Sequence, residues 1–344
     1  MRITTFCLYI PVLILLTFLC SCKKDHEAIN APTPSILEYI AKEPSLSLLN
    51  TAIGITRLDT VMSSGGPFTF FAATDPAFES AGFTGDSLRR MDPRQLQDIL
   101  RYNIVKGRLS SGDVPGFLKQ QFTGLHPLYR PYITKNYYGI FLNGIPVIKG
   151  NIELGDGVLQ VTGRVAIPPA GSQLDVMNKE KDLSFLTAFV RNVYTFRTLV
   201  ADSTYSLPPT GSGGLIYGTT LLAPTDSAFK AFGYADTTAL INDSLKLVTG
   251  YYCNNCIPSY QNPVFGNFTF IGFTFTSDYK GQFAIGLGTN VILRSGSSSF
   301  WTSLDGFSFT GNGIAQNNPV RIIKPDMIAT NGVVQKINQV FLVH

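Results

Sequence analysis

The chain contains 344 residues, of which 15% are charged, and its formal net charge is +4. So small a net charge argues against the strongly basic surface typical of nucleic-acid-binding proteins. The chain also contains 32 glycines and 20 prolines, a composition typical of a turn-rich, strand-rich extracellular protein. Its length predicts two domains.

An apolar run near the N-terminus indicates secretion. It extends from Phe6 to Leu19 and is shorter than the roughly 20 residues that a membrane-spanning helix needs. We therefore interpret residues 1–21 as a signal peptide. The run ends in LCSC at residues 19–22, which resembles a bacterial lipobox and implies that Cys22 carries a lipid. An ordinary cleavable signal with incidental cysteines is the alternative.

The next segment, residues 22–34, predicts a lipidated tether. It is polar and contains prolines, so it cannot form a core. Its charged part, Lys23 to Glu27, is similar to the surface-export signal of Bacteroidetes lipoproteins. This resemblance implies a lipid anchor in the outer membrane, with the domains facing the cell exterior. The periplasmic face is the alternative.

Residues 35–169 predict a first domain in which helices precede most of the strands. Apolar residues at helical spacing indicate two helices between Ser35 and Val61, and Asp92-Pro93 begins another. A loop rich in Tyr, Pro and Gly, residues 115–132, is followed by three short strands separated by glycines.

A ten-residue motif occurs twice, as TFFAATDPAF at Thr69–Phe78 and as TLLAPTDSAF at Thr220–Phe229. Each copy predicts a buried strand and a short helix, and Asp75 or Asp226 is expected to cap the helix that follows it. A pair of catalytic acids is disfavoured, because each aspartate lies in its own repeat without a His, Cys or second carboxylate at a useful spacing. The repeat indicates a duplicated domain.

The second copy begins after a charged segment. Residues 170–182 have no apolar period and are interpreted as a linker. Residues 183–344 repeat the order of helices and strands of the first domain. They are longer around Ser295 to Gly313, where a loop or an additional hairpin is expected.

The repeated motif resembles the first conserved box of the fasciclin-like domain, and IELGDGVLQVTGRVAIPP and DMIATNGVVQKINQVFLV resemble its closing box. This resemblance implies an α+β fold with two tandem fasciclin-like domains. Each would be a β-wedge or sandwich with several short helices packed on it. It also implies extracellular adhesion without enzymatic activity and without a cofactor.

The family often has a Tyr-His pair in a region that takes part in adhesion in animal members. The matching positions here are Tyr102-Asn103 and Tyr251-Tyr252, so both histidines are missing. We retain Tyr102, Tyr251 and Tyr252 as candidate binding residues. The alternative for Tyr102 and Tyr251 is a buried ring with a satisfied hydroxyl.

The pair Cys253 and Cys256 indicates a local disulfide, because the predicted location is oxidising. A thiol-exchange role is the weaker alternative. A metal site is not expected, since no second C-x-x-C motif or His pair supplies the other ligands.

Aromatic residues are the positive indication of binding. Tyr137 and Tyr138 follow Tyr129 and Tyr132 in the first domain, and Trp301 lies in the second. Exposed rings with Asn and Ser nearby suit either a sugar or a protein partner. The alternative is that most of these rings fill a glycine-rich core.

The sequence therefore predicts a non-enzymatic adhesion or ligand-binding lipoprotein that recognises a glycan or a protein. The alternative is an accessory or structural component of an outer-membrane polysaccharide-uptake assembly. No spacing of Ser, Cys, His and acidic residues indicates a catalytic site, and no nucleic-acid partner is expected.

Overall fold

The computed structural model divides the chain into Met1–Pro34 and one unit, Ser35–His344, and the unit is described here. The structure describes residues 33–63, 65–114, 118–192, 219–246, 269–271, 275–279, 300–302, 306–311 and 318–340.

The first half of the unit combines a sheet with short helices. Its helices are α1 (Ile36–Lys42), α2 (Ser47–Thr56), α3 (Leu58–Ser63), α4 (Asp75–Ser80), α5 (Gly85–Arg90) and α6 (Pro93–Tyr102). Its strands are β1 (Phe68–Ala73), β2 (Ile104–Lys106), β3 (Leu118–Gln121), β4 (Tyr132–Asn136), β5 (Gly139–Leu142), β6 (Ile145–Leu154) and β7 (Gly157–Thr162). The strand order is β2-β1-β7-β6-β5-β4-β3.

The second half has the same general composition. Its described helices are α7 (Gln173–Asn178), α8 (Ser184–Asn192), α9 (Asp226–Phe232), α10 (Thr237–Lys246) and α11 (Thr276–Tyr279). Its described strands are β8 (Thr219–Pro224), β9 (Thr269–Ile271), β10 (Phe300–Thr302), β11 (Ser308–Gly311), β12 (Val320–Ala329) and β13 (Gly332–Ile337). They are ordered β10-β11-β12-β13-β8-β9, so the fold class is α+β as predicted.

The two halves repeat each other in detail. The strand that carries the Thr-Asp motif pairs in parallel with the closing strand in both halves, β1 with β7 and β8 with β13. The strand before the closing strand has two register shifts in each half. Within that irregular stretch Asn151 and Asp326 have positive φ angles of 58° and 56°. Their backbone N–H groups donate to Gln160 Oε1 and Gln335 Oε1, at 2.9 and 2.7 Å.

Amphipathic helices build the core of the first half. In α6 the spacing of the apolar residues places one face inward, and Leu96, Ile99, Leu100 and Tyr102 are buried. Phe70 of β1 and Phe78 of α4 belong to the same core as most of this face. The strand and the helix of the Thr-Asp motif thus both contribute to the core.

The two aspartates of the motif cap helices, but the prediction that each caps the helix that follows it is wrong. Each short helix begins at the aspartate itself, so the carboxylate reaches the start of a neighbouring helix. Asp75 accepts hydrogen bonds from Ser47 N, Ser47 Oγ and Leu48 N at 3.2, 2.7 and 2.8 Å, at the start of α2. Asp226 accepts from Ser184 Oγ and Phe185 N at 2.7 and 2.9 Å, at the start of α8.

The segment predicted as a linker, residues 170–182, contains α7 and packs on the second half. Ser172 and Asp175 form a capping box at its start, and Gln173 and Met177 are buried. The same arrangement occurs in α1, where Ser35 and Glu38 form the capping box and Ile36 and Ile40 are buried. Helix α7 was not predicted from the sequence, because a polar residue, Gln173, occupies an inward-facing position. Its Nε2 donates to Val333 O at 2.9 Å.

Charged residues after α7 attach the segment to β13. Lys336 is 8% exposed and pairs with Glu180 at 2.5 Å and with Asp182 at 2.6 Å. Burial alone raises the pKa of Glu180, but hydrogen bonds from Lys324 and Lys336 outweigh it and hold this pKa below its ordinary value. The second half therefore includes the segment that composition indicated as a linker.

Two further stretches contain strands. The predicted loop 115–132 includes β3. In the longer region around Ser295 to Gly313, β10 and β11 form an antiparallel pair, and β11 pairs with β12. This pair occupies the position that β4 and β5 have in the first half.

We predict that Asp75→Ala lowers the free energy of unfolding by about 1–2 kcal/mol, because three hydrogen bonds at the start of α2 are lost. Urea denaturation measures the change. The control is Asp86→Ala, whose carboxylate pairs with Arg89 while both side chains are at least 67% exposed, so a much smaller loss is expected. Equal losses in the two variants would contradict the proposed role of Asp75.

Candidate functional site

Tyr137 and Tyr138 form an exposed aromatic pair at the turn between β4 and β5. Tyr137 is 87% exposed and Tyr138 is 39% exposed. Their rings are perpendicular with centroids 5.4 Å apart, and Tyr138 N donates to Asn136 Oδ1 at 2.9 Å. The turn thus presents two aromatic rings to solvent, as a contact with a partner requires.

Tyr102, another candidate binding residue, is 1% exposed. Its hydroxyl accepts a hydrogen bond from Asn143 Nδ2 at 3.0 Å, and burial raises its pKa. This environment matches the alternative of a buried ring with a bonded hydroxyl. Tyr102 is also one of the residues that line the cavity described below.

A histidine lies beside Tyr102 although position 103 is asparagine. His126 contacts the Tyr102 ring edge-on at 5.7 Å and stacks on Tyr129 at 5.2 Å. Its Nδ1 accepts from the backbone N–H groups of Leu128 and Tyr129 at 3.2 and 2.9 Å. Burial lowers the pKa of His126, so the neutral ring holds this loop in place. The sequence pattern did not indicate this contact, since 24 positions separate the two residues.

Asn103 has a structural role of its own. Its amide donates to Ile99 O and Ala166 O, both at 2.8 Å, and accepts from Ala166 N at 3.2 Å. The two hydrogen bonds with Ala166 join the end of α6 to the segment after β7, and the bond to Ile99 O closes the end of the helix. An imidazole has two nitrogens and could not form all three.

A partly buried ion pair joins the two halves. Arg164 Nη2 lies 3.1 Å from Asp326 Oδ2, and the Asp326 side chain is 1% exposed. Asp326 also accepts from Thr276 N at 2.8 Å, Thr276 Oγ1 at 2.6 Å and Gln335 Nε2 at 2.9 Å. Gly144 has a φ of +78°, and a Cβ there would lie 2.5 Å from Asp326 Oδ2, so the halves meet in close contact.

The second half also holds β4, the strand that leads to the exposed tyrosines. Thr134 Oγ1 donates to Asp278 Oδ1 at 3.3 Å, and Asn136 Nδ2 donates to Ser277 O at 2.9 Å. The Tyr132 and Phe275 rings are in contact at 5.7 Å. The Tyr137–Tyr138 turn is thus supported from both halves of the unit.

A cavity of about 310 Å³ lies next to these contacts, between the two halves. Its lining is rich in aromatic and polar groups, namely Tyr102, Gln121, Tyr129, Arg130, Tyr132 and Thr330. Burial raises the pKa of Tyr132 to about 12, so its hydroxyl is neutral at physiological pH. The cavity therefore offers neutral hydroxyls and one guanidinium.

The remaining candidate residues are placed as follows. Trp301 lies in β10 and is paired with Thr310 of β11, but its side chain lies outside the described residues. Tyr251, Tyr252, Cys253, Cys256 and the predicted lipid site Cys22 also lie outside the described residues. They remain predictions from the sequence.

The residues that the structure describes include neither a metal-ligand cluster nor a membrane-spanning helix. Among these residues, no cluster of three or more His, Cys, Asp or Glu side chains could hold a metal ion. No helix in the described part of the chain has the length and apolarity to cross a membrane.

Comparison with known families identifies the first half. Residues 44–168 match the family model of the Fasciclin domain. This region contains the sheet, the Thr-Asp motif and the exposed tyrosine pair. Residues 44–168 are therefore similar to a domain family that is linked to cell adhesion and is typically non-enzymatic.

Individual proteins are similar over parts of the chain. Protein sll1483 of Synechocystis is 28% identical over 137 residues, which cover 39% of this chain and 74% of that protein. Transforming growth factor-beta-induced protein ig-h3 of Sus scrofa is 25% identical over 227 residues, 60% of this chain and 30% of that protein. The match thus spans less than a third of the porcine protein.

A solved structure is also similar. It is a FAS1 domain pair from the insect cell adhesion molecule Fasciclin I, with 14% sequence identity and a TM-score of 0.37. The match covers 86% of this chain and 96% of that chain. The α+β fold of this protein is established by its own helices and strands.

We predict that Arg164 and Asp326 are energetically coupled by about 1 kcal/mol or more, because one partner is buried. A double-mutant cycle with Arg164→Met and Asp326→Asn measures the coupling by urea denaturation. Asn151 already occupies the equivalent position in the first half, where its Oδ1 accepts from Ser111 N at 2.6 Å, so asparagine suits the turn. The control cycle uses the exposed Arg89–Asp86 pair. A coupling no larger than in the control would contradict the prediction.

Proposed function

We propose that this chain is a non-enzymatic cell-surface adhesion or ligand-binding lipoprotein, which recognises a glycan or a protein partner through aromatic side chains. The observation that carries the proposal is the Tyr137–Tyr138 pair, exposed on a fasciclin domain. Two adjacent exposed rings on a short turn lose little conformational freedom on binding, which favours affinity.

We propose further that the chain has two tandem fasciclin-like domains, the second beginning near Ser172. The shared parallel strand pairing supports this duplication, as do the matching register shifts. The capping boxes at Ser35 and Ser172 mark equivalent starts. Cys253 and Cys256 are proposed to form a disulfide in the second domain, and Tyr251, Tyr252 and Trp301 are kept as further candidate contacts.

The binding proposal is tested with the purified chain from Lys23 on an array of polysaccharides and extracellular matrix proteins. We expect binding to fall at least about tenfold when Tyr137 and Tyr138 are both changed to alanine, because aromatic anchors carry much of the energy of an interface. The control is Ile148→Ala, which removes an apolar side chain that is 59% exposed elsewhere on the first domain.

Unchanged binding by the double variant would remove the tyrosine pair from the proposal. Loss of binding in the Ile148→Ala variant as well would indicate a broad apolar surface instead. If the folded chain binds nothing on the array, a partner in its own membrane becomes the better hypothesis. A pull-down from native envelopes, including the polysaccharide-uptake proteins, would identify it.

The anchor is a separate proposal: Cys22 carries a lipid that attaches the chain to the outer membrane, facing outward. We expect Cys22→Ala to abolish the incorporation of labelled palmitate and to release the chain from the membrane fraction. Cys20→Ala is the matched control and is expected to leave both unchanged. A Cys22→Ala chain that still takes up palmitate and stays with the membrane would contradict lipidation at this residue.

A further inference from the structure

In the cavity between the halves, one buried hydroxyl has no hydrogen-bond partner among the described residues, and a second accepts a hydrogen bond without donating one there. Thr330 Oγ1 is buried and has no hydrogen-bond partner among the described residues. The Tyr102 hydroxyl accepts from Asn143 but donates to no acceptor in the described part of the chain. Buried polar groups are nearly always bonded, so each such exception calls for an explanation. A ligand in the cavity would provide the missing partners.

The charge of the lining favours an anionic ligand. Within the described residues Arg130 forms no ion pair, and it is exposed at the cavity. None of the described residues that line the cavity is acidic. An unpaired guanidinium beside neutral hydroxyls is suited to a carboxylate, which it can bind through two parallel hydrogen bonds.

The tyrosine rings of the lining favour a sugar as the molecule that bears this carboxylate. Tyr129 is fixed by stacking on His126 at 5.2 Å, and Tyr132 is fixed by Phe275 at 5.7 Å. Fixed tyrosine rings offer an apolar face to sugar C–H groups, and their hydroxyls can bond to sugar hydroxyls. Hydroxyls, an amide and a guanidinium are prominent in the lining, as suits a ligand that carries several hydroxyls.

The size of the cavity limits the ligand to a small one. Its volume of about 310 Å³ is at the lower end of the roughly 300–1,000 Å³ typical of small-molecule sites. One sugar unit with its carboxylate is of a suitable size. The rest of an oligosaccharide chain would extend into solvent.

We propose that this cavity binds one acidic sugar unit, a uronic acid, with its carboxylate on Arg130 and its hydroxyls on Tyr102 and Thr330. The inference deepens the proposed function, since it names a ligand class and a second site for the same protein. Both halves contribute to the site, because Thr330 comes from the second half and the tyrosines come from the first.

The test measures binding of the purified full chain to galacturonic and glucuronic acid and their short oligomers by calorimetry and saturation-transfer NMR. Galactose, glucose, inorganic phosphate and an acidic peptide are the comparison probes. We expect the uronic acids to bind most tightly and Arg130→Gln to weaken them about tenfold or more. Arg94→Gln, which changes an exposed arginine of α6, is expected to leave their affinity unchanged.

Thr330→Val distinguishes a ligand contact from a structural role. The hydroxyl has no partner among the described residues, so its removal is expected to leave the melting temperature unchanged or slightly higher. We expect the same variant to weaken uronic acid binding severalfold. A lower melting temperature with unchanged affinity would overturn the assignment of Thr330.

Three other results would overturn the inference as a whole: no binding of uronic acids, equal binding of neutral sugars, or equal binding of phosphate or the acidic peptide. The Tyr137→Ala, Tyr138→Ala double variant is expected to keep the cavity site. If cavity binding fails while array binding still depends on the tyrosine pair, only this inference fails. If the cavity binds uronic acid and the double variant does not alter array binding, only the tyrosine contact fails.

Discussion

The parallel pairing of the Thr-Asp strand with the closing strand is the constraint on which each half depends. In the first half β1 and β7 pair from Phe68 with Gly157 to Ala73 with Thr162, although the helices α4 to α6 and five strands lie between them in the chain. The strands approach so closely at Gly157 that a Cβ there would lie 1.9 Å from Phe68 O. A residue with a side chain would force the strands apart, so glycine is required. The pair then fixes where the Thr-Asp turn lies and which helix its carboxylate can reach.

The repeated geometry also bears on the contact between the halves. Asn151 and Asp326 occupy the same irregular position in the two halves. Asn151 bonds to Ser111 of its own half. Asp326 bonds to Thr276 of its own half and also to Arg164 of the other half. The local geometry is repeated, but an amide has become a carboxylate. A buried carboxylate needs compensation by hydrogen bonds or by an opposite charge, and Arg164 supplies that charge. The difference of one residue type thus separates a turn that is bonded within its own half from one that also bonds to the other half.

The elements that were predicted correctly are those whose signals lie close together in the sequence. The repeated strand and short helix of the Thr-Asp motif were predicted because a short apolar run and the Thr-Asp pair that ends it are signals within a few residues of each other. The partner of Asp75 was not predicted, since Ser47 lies 28 positions away and is brought near by packing. Helix α7 was missed because Gln173 occupies an inward position that apolar periodicity cannot detect. The exposure of Tyr137 agrees with a contact role. The burial of Tyr102 depends on which face of α6 the sheet covers, and composition does not indicate that face.

The exposed tyrosine pair and the cavity are both supported by strand β4. Strand β4 carries Tyr132, which lines the cavity, and it ends at the turn that carries Tyr137 and Tyr138. The same strand is held by Ser277 and Asp278 of the second half. Without the second half, the first half would lack Thr330 at the cavity and the hydrogen bonds from β4 to Ser277 and Asp278. Surfaces that bind weakly gain affinity when their side chains are held in position beforehand, since less conformational freedom is lost on binding. The close contact between Gly144 and Asp326 adds to the contacts that hold the two halves together near both features.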